Sequence, residues 1–492
     1  MIAHLPALQI VLPLIAAPLC IVLRRGALPW LLALITSWVA FAIAALQLSR
    51  VLEAGPVSYA LGGWLAPWGI EYRIDIFNAF VMLIVAGIGA VVLPYARRSV
   101  AAEIDADKHY LFYGSFLLML TGLLGMAVTG DAFNLFVFIE ISALSSYAMI
   151  ALGRDRRTLR AAFTYLAMGT VGATFFLIGV GMLYAVTGTL NMADLAERLQ
   201  PLLDTRTVLV AFAFIAVGLS LKLALMPLHL WLPNAYTYAP SVVTAFLAAT
   251  ATKVAIYALL RFVFTVFGFE FSFGALPLSE ILLALAVLAI VVASTVAIFQ
   301  SNLKRMLAYS SLAQVGYIVL GLAYANVLGL TASVVHLFNH AATKGALFLV
   351  TGMLVYRLGS AEISDLNGIA KRMPWTMAGF VIAGLSLIGL PLTAGFVTKW
   401  TLVMGAIERG WWLVAALILA ASLLAVVYIW RIVEAAYLRP LADANKDVVE
   451  APLSLLIPAW VLIAATVYFG VETSLTLGIA EEAAHFLFVT SP

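Results

Sequence analysis

Along this chain apolar residues do not alternate with polar ones. They run in long blocks, near 4–23, 28–48, 74–96, 109–128, 131–152, 161–187, 207–237, 241–267, 277–299, 303–324, 328–357, 374–407, 411–437 and 452–471. A helix rises ~1.5 Å per residue, so about 20 apolar residues cross a hydrocarbon core ~30 Å thick. The pattern predicts an all-α polytopic membrane protein with about fourteen transmembrane helices. Spans four and five are joined by the tight Thr129-Gly130-Asp131. The longest connection, 49–73, holds Gly55-Pro56, Gly62-Gly63 and Pro67, and reads as turn-rich and external. Nothing in the pattern after residue 471 predicts more than a tail.

Two blocks are interrupted. In Leu221-Lys222-Leu223-Ala224-Leu225-Met226-Pro227 a lysine sits inside an apolar run and a proline follows it. Proline lacks an N–H and clashes with the preceding turn, which predicts a kink or break at Pro227. Such breaks are tolerated at membrane depth only where they line a protein-buried or watery cavity. Leu390-Pro391-Leu392-Thr393-Ala394-Gly395 predicts a second break at Pro391, with Lys399 following. Paired breaks in the two halves of a chain point to inverted repeats with a pathway at the midplane.

Composition agrees: 64% of the 492 residues are hydrophobic and 10% charged, against about 25% charged in a soluble domain. The net charge of +3 bears on topology rather than on nucleic acid. Arginine and lysine favour the odd-numbered connections (Arg97, Arg98, Lys304 and Arg305 among them) over the even ones (Arg73 and Arg261 among them). The odd connections are therefore expected in the cytoplasm and both termini outside. The first block has no basic stretch before it, as a cleaved signal would, and reads as a span. Trp30, Trp64, Trp68, Trp375, Trp411 and Trp412 fall near block ends, as in an interfacial belt. Cys20 is the single cysteine, so this chain builds no disulfide framework or cysteine cluster. There is no Walker loop, and Gly179-Val180-Gly181 lies in an apolar run with no strand before it. No cofactor or metal is expected.

Seven ionisable residues fall inside the predicted spans: Glu140, Lys222, Lys253, His336, His340, Lys344 and Lys399. A charge at the bilayer centre costs about 2.5–3.5 kcal/mol, so the five charged ones unpaired would cost on the order of 12–17 kcal/mol. They must be paired, hydrated or partly neutral. Glu140 has Lys222 as its first candidate partner. Lys253 suits a proton carrier. His336, His340 and Lys344 share one helix stripe at four-residue spacing, and histidine suits a relay. A zincin-type site would need glutamate where Leu337 stands.

With these residues in view, the chain resembles the antiporter-like subunit family shared by respiratory complex I, membrane-bound hydrogenases and Mrp cation/proton antiporters. The most specific stretches are Gly130–Glu140, Pro227–Ala235, Leu303–Leu312 and His340–Lys344. The resemblance implies fourteen helices and two inverted five-helix repeats with helices seven and twelve broken. It divides the chain into helices 1–3 (1–100), a first repeat (109–267), a second repeat (277–437) and a last helix with its tail (452–492). It implies a bacterial inner-membrane location, other membrane subunits as partners, and H⁺ with Na⁺ or K⁺ as the ions. Glu140 and Lys222 would be the ion pair of one half-channel, Lys253 the connecting lysine, His336 and Lys344 links of the second half, and Lys399 the terminal carrier. Gly130–Glu140 and Val186–Leu195 look like the D-type branch of the Mrp subunits, which makes a monovalent cation/proton antiporter subunit the leading expectation. His336–Lys344 looks more like redox-linked members, so a proton-pumping subunit of a quinone reductase or hydrogenase stays open. Asn234 departs from the aspartate common after this Trp-Leu-Pro and carries no expected role. A structural scaffold would show loss of Glu140 and Lys222 together, and both are present.

Overall fold

A computed structural model describes residues 2–491. The first blocks fold as α1 (Leu5–Val22), α2 (Leu28–Ala54), α3 (Ile76–Glu103), α4 (His109–Val128), α5 (Ala132–Ala151) and α6 (Arg157–Thr187). A short amphipathic α7 (Met192–Leu199) precedes the first interrupted block, which forms α8 (Arg206–Lys222) and α9 (Trp231–Tyr238). Then come α10 (Ser241–Leu260), α11 (Leu278–Ile298), α12 (Leu303–Ala323) and α13 (Val327–Leu358). The second interrupted block forms α14 (Pro374–Ile388) and α15 (Ala394–Glu408), followed by α16 (Trp412–Val433), α17 (Leu453–Val471) and α18 (Ser474–Val489). Among the described residues twelve helices are long and apolar enough to cross a membrane, and the expected spans seven and twelve are the two interrupted ones.

Polar residues set the helix starts. Asp75 and Asn78 form a capping box on α3. Asp131 accepts from the Asn134 N–H at 2.7 Å on α5, Asn302 from Arg305 on α12, and Asn326 from Gly329 on α13. The bundle centre is α10, α12 and α13. The first two are buried on every face, as helices apolar all round must be, and α13 packs against α10, α12, α15 and α17.

Three expectations need correction. The connection 49–73 is not turns alone, because β1 (Val57–Ala60) and β2 (Glu71–Ile74) pair antiparallel with Val57 opposite Ile74. The tail carries α18, which buries Ile479, Ala480, Ala483, Ala484 and Leu487 against α13 and α3. At 16 residues, with Glu481 and Glu482 inside it, α18 falls short of a membrane crossing and is invisible to a search for spans. Arg261 is no connection charge but is buried against Asp75.

The first break also begins earlier than proline sterics alone place it. Residue 226 is pushed off the helix by the ring that follows it, yet α8 has already ended at Lys222. Ala224 takes φ +60, its N–H reaches the Leu221 carbonyl at 3.2 Å, and the Leu225 N–H reaches Ser220 at 3.0 Å. That is a Schellman ending with alanine in the usual glycine position.

Candidate functional site

Lys222 is the last residue of α8. The final carbonyls of a helix lack intrahelical partners and carry about half a negative charge together, so a cation is favoured there. Its Nζ lies 3.9 Å from Glu140 Oε1, an ion pair without a hydrogen bond. The two side chains differ in exposure, 9% for Lys222 and 26% for Glu140, so the carboxylate is the rim of the pair and the ammonium its buried end. On α6, Gly169 makes room for this arrangement. A Cβ there would stand 1.9 Å from the Tyr147 hydroxyl and 3.6 Å from Lys222 Nζ. A cavity of about 30 Å³ adjoins Lys222, lined by Ser142, Ser146 and Tyr165 on one side and by Ala251 and Ala255 of α10 on the other. That is room for about one water among several polar groups.

Lys253 lies in the middle of α10 and is buried. Its ammonium turns back on its own helix, donating to the Ala248 carbonyl and, at 3.5 Å, to Thr252 Oγ1. No carboxylate pairs with it among the described residues.

The second half is built on α13. His336 Nδ1 meets Thr398 Oγ1 at 3.0 Å and Nε2 meets Gln314 Oε1 at 2.9 Å. Asn339 donates to the same Thr398 hydroxyl at 3.0 Å and to the Ala394 carbonyl at 2.8 Å. His340 stacks on His336 with centroids 5.4 Å apart and planes within 7°, and neither of its ring nitrogens has a protein partner. One turn further on, Lys344 donates to the Leu307 carbonyl at 3.0 Å and to Ser310 Oγ.

Lys399 reaches across the second break. It stands in α15, but its Nζ donates to the Ile388 carbonyl at 2.6 Å and the Leu387 carbonyl at 3.4 Å, both at the end of α14, and to Ser422 Oγ at 2.9 Å. The Tyr317 ring lies 5.1 Å away, within cation–π range. The two breaks thus present their lysines differently. Lys222 is the end of its own half-helix, whereas Lys399 comes from the half-helix after the break and caps the one before it.

The structure brings Glu140 to Lys222 and gathers His336, His340, Lys344 and Lys399 around α12 and α13. It leaves Lys253 bonded only to α10 itself. It also adds residues the sequence did not single out. Glu103 at the end of α3 accepts from the Ser241 N–H and hydroxyl at 2.9 and 3.0 Å, capping α10. Its Oε2 lies 3.8 Å from Lys304 Nζ, which donates to the Ala239 carbonyl at 3.0 Å. Six residues on from Lys304, Ser310, Gln314 and Tyr317 follow one another along α12 at four- and three-residue steps, which is one helix face. That face meets Lys344, His336 and Lys399 in turn. At its mouth is a polar vestibule of about 420 Å³ that Glu103, Lys304, Asn302, Arg154 and Glu362 help to line. Beside it Asp105, bonded first to Lys108 and then to Arg154, has its carboxyl held below the usual range.

Glu103, Lys304, Asp75 and Arg261 were missed because they stand at the ends of apolar runs, where charge is ordinary. One signal was available for Lys304: a cation in the first turn of a helix opposes the dipole and asks for a partner. Among the described residues no three His, Cys, Asp or Glu side chains converge as a metal would require.

Residues 129–425 match the family described as NADH:quinone oxidoreductase/Mrp antiporter, transmembrane. The chain is 45% identical over 485 residues to NADH-quinone oxidoreductase subunit N of Desulforudis audaxviator, covering 96% of each. It is 31% identical to the D-type subunit of the Na(+)/H(+) antiporter of Bacillus subtilis, over 98% of this chain and 96% of the relative. It superposes on a chain of the Mrp complex from Dietzia sp. with TM-score 0.90 at 26% identity, covering 99% of this chain and 97% of that one.

Proposed function

The chain belongs to the NADH:quinone oxidoreductase/Mrp antiporter transmembrane family, and from that premise we propose that it is a proton-translocating subunit of a multi-subunit monovalent cation/proton antiporter of the bacterial plasma membrane. The observation that carries the reading is the row of buried ionisable groups from Glu140–Lys222 through Lys253 to His340, His336, Lys344 and Lys399. Five lysines and glutamates at bilayer depth are costly, and helices of this kind fold readily without them. Na⁺ or K⁺ and the neighbouring subunits are proposed by analogy with the relatives.

The mechanism we propose starts at the ion pair. At 3.9 Å the attraction is worth about 4 kcal/mol at an effective dielectric of about 20. Drawing Glu140 away removes that stabilisation from the protonated Lys222, which releases its proton toward the serine- and tyrosine-lined cavity and Lys253. Beyond Lys253, the α13 histidines and Lys344 pass protons along the α12 face to Lys399. Lys253, Lys344 and Lys399 are held by neutral oxygens, so gaining or losing a proton there breaks no salt bridge.

The two repeats would be 109–267 and 277–437, following the first three helices in 1–100, with 452–492 closing the chain. The odd-numbered connections would face the cytoplasm and the N-terminus the outside. Lys222→Ala and Lys399→Ala in the assembled complex, reconstituted in vesicles with a pH dye, should each cut proton flux by about 100-fold or more, the size of losing a positioned proton carrier. Full flux in either variant overturns the relay.

One observation favours a second driver, electron transfer, and it is the 45% identity to a subunit of an NADH-quinone oxidoreductase. The internal path would be unchanged. Mass spectrometry of the subunits that co-purify in mild detergent separates the two. Small hydrophobic antiporter subunits support the first reading, and iron–sulfur or quinone-site proteins support the second.

A further inference from the structure

Away from the row of buried charges, a groove of about 940 Å³ opens on the outer face of the bundle between α2, α3 and α17. Its body is apolar, lined by Trp38, Val91, Ile457 and Val461, and Arg97 and Arg98 line it partway along α3, on the side of Ala101 and Ala102. Both arginines are exposed, and neither is in a salt bridge among the described residues. Arg97 lies over the Trp30 ring, 4.9 Å from its centroid. The Trp30 indole N–H is itself fixed on the Leu93 carbonyl at 3.0 Å.

Two prolines inside helices shape the groove, Pro94 in α3 and Pro458 in α17. Each removes one helical hydrogen bond and pushes the helix off line. At α17 the carbonyl that loses its partner is that of Ser454, which also lines the groove.

We infer that this groove binds one anionic phospholipid, with an acyl chain along Trp38, Val91, Ile457 and Val461 and its phosphate on Arg97 and Arg98. Length decides against a transmembrane helix from another subunit. From Val91 to Ala102, the extent of α3 along the groove, the rise is ~16 Å, about half of a ~30 Å hydrocarbon core. That suits one leaflet, whereas a crossing helix needs a seat along the whole core. Charge decides the headgroup: two unpaired arginines at the interface complement a phosphate, and basic pockets between transmembrane helices are the usual seat of anionic lipid headgroups. A guanidinium already stacked on a fixed tryptophan presents its N–H donors with less ordering left to lose. The headgroup end adjoins the polar vestibule, for Ala102 lines both, so the lipid would stand beside the Glu103–Lys304 pair. This inference does not depend on the transport reading.

The test uses the assembled complex, moved from detergent into nanodiscs containing phosphatidylglycerol and phosphatidylcholine, then re-extracted and analysed by native mass spectrometry. Wild type should retain one phosphatidylglycerol per copy of this subunit. Arg97→Gln/Arg98→Gln should weaken that retention by about 30-fold, the effect of two basic groups at a membrane surface. Ala101→Trp, which fills the groove and leaves both arginines in place, should lose it as well. Assembly of each variant, followed on native gels, keeps misfolding apart from lost binding. Equal retention of the two lipids, unchanged retention in both variants, or a crosslink from Ile457→Cys to a partner-subunit helix overturns the inference.

Discussion

Buried ammonium groups in this chain are held in two ways. Lys222 and Lys304 each have a carboxylate just beyond hydrogen-bond distance, at 3.9 and 3.8 Å. Lys253, Lys344 and Lys399 sit on neutral carbonyls and hydroxyls. The paired lysines are the ones a charge change elsewhere can loosen. For Lys304 the pairing is also structural, since it opposes the positive end of α12 and Glu103 offsets that while capping α10. Glu103→Ala should therefore destabilise the protein by about 3–5 kcal/mol, the usual cost of leaving a buried charge alone. The double variant Glu103→Ala/Lys304→Met should recover most of the loss, as read from thermal unfolding in detergent. Equal losses in single and double variants would show that the pair is not coupled. Glu140 and Lys222 stood out in the sequence because a charge inside an apolar run is rare. Glu103 and Lys304 did not, because the same residue types at the ends of runs are what solvated loops also show.

At the scale of elements, the broken helices work through their loose ends. Each break exposes carbonyls that its own helix leaves open: at the first the Trp231 indole N–H meets the Leu221 carbonyl at 3.0 Å, and at the second Lys399 meets those of Leu387 and Ile388. Gly389, which ends α14 at φ +89, serves that contact twice. A left-handed residue costs roughly 1–2 kcal/mol for anything but glycine, yet Ala224 bears a φ of +60 at the first break, so this cost alone is bearable. What alanine cannot do at 389 is leave room for Lys399, whose Cδ would lie 2.6 Å from the new Cβ. Gly389→Ala is expected to assemble and to lose most proton flux by displacing Lys399. Ala224→Gly, in contrast, should keep its flux and gain about 1 kcal/mol by relieving strain. Matching flux in the two variants would separate the break from the lysine's function. Both prolines were legible as breaks. That the first helix ends at Lys222 depends on the left-handed turn at Ala224, and that the second lysine reaches backward over its break depends on which carbonyls lie within its length.

Across the whole molecule, the second half of the row of ionisable groups is organised by α12, whose Ser310, Gln314 and Tyr317 meet Lys344, His336 and Lys399. The proposed orientation puts the odd-numbered connections in the cytoplasm and the N-terminus outside. Cys20 is buried and is the single cysteine, so a Cys20→Ala background permits site-specific labelling. Ser58→Cys, on the β1–β2 hairpin, should react with a membrane-impermeant maleimide in intact cells. Ser364→Cys, in the connection between α13 and α14, should react only after lysis. The reverse pattern would invert the assigned orientation.

By itself the sequence determined that this is a polytopic helical membrane protein, where its long apolar helices run, which two of them are interrupted, and which ionisable groups fall inside apolar runs. These follow from local physics: the length of an apolar run, the missing N–H of proline and the cost of a charge in hydrocarbon. Only the tertiary structure decided the partners. Whether Arg261 was a loop cation or the mate of Asp75, whether the last 20 residues were a tail or the buried helix α18, and which oxygens hold Lys253, Lys344 and Lys399 all depend on contacts between segments far apart in the chain. Hydropathy has no term for those contacts.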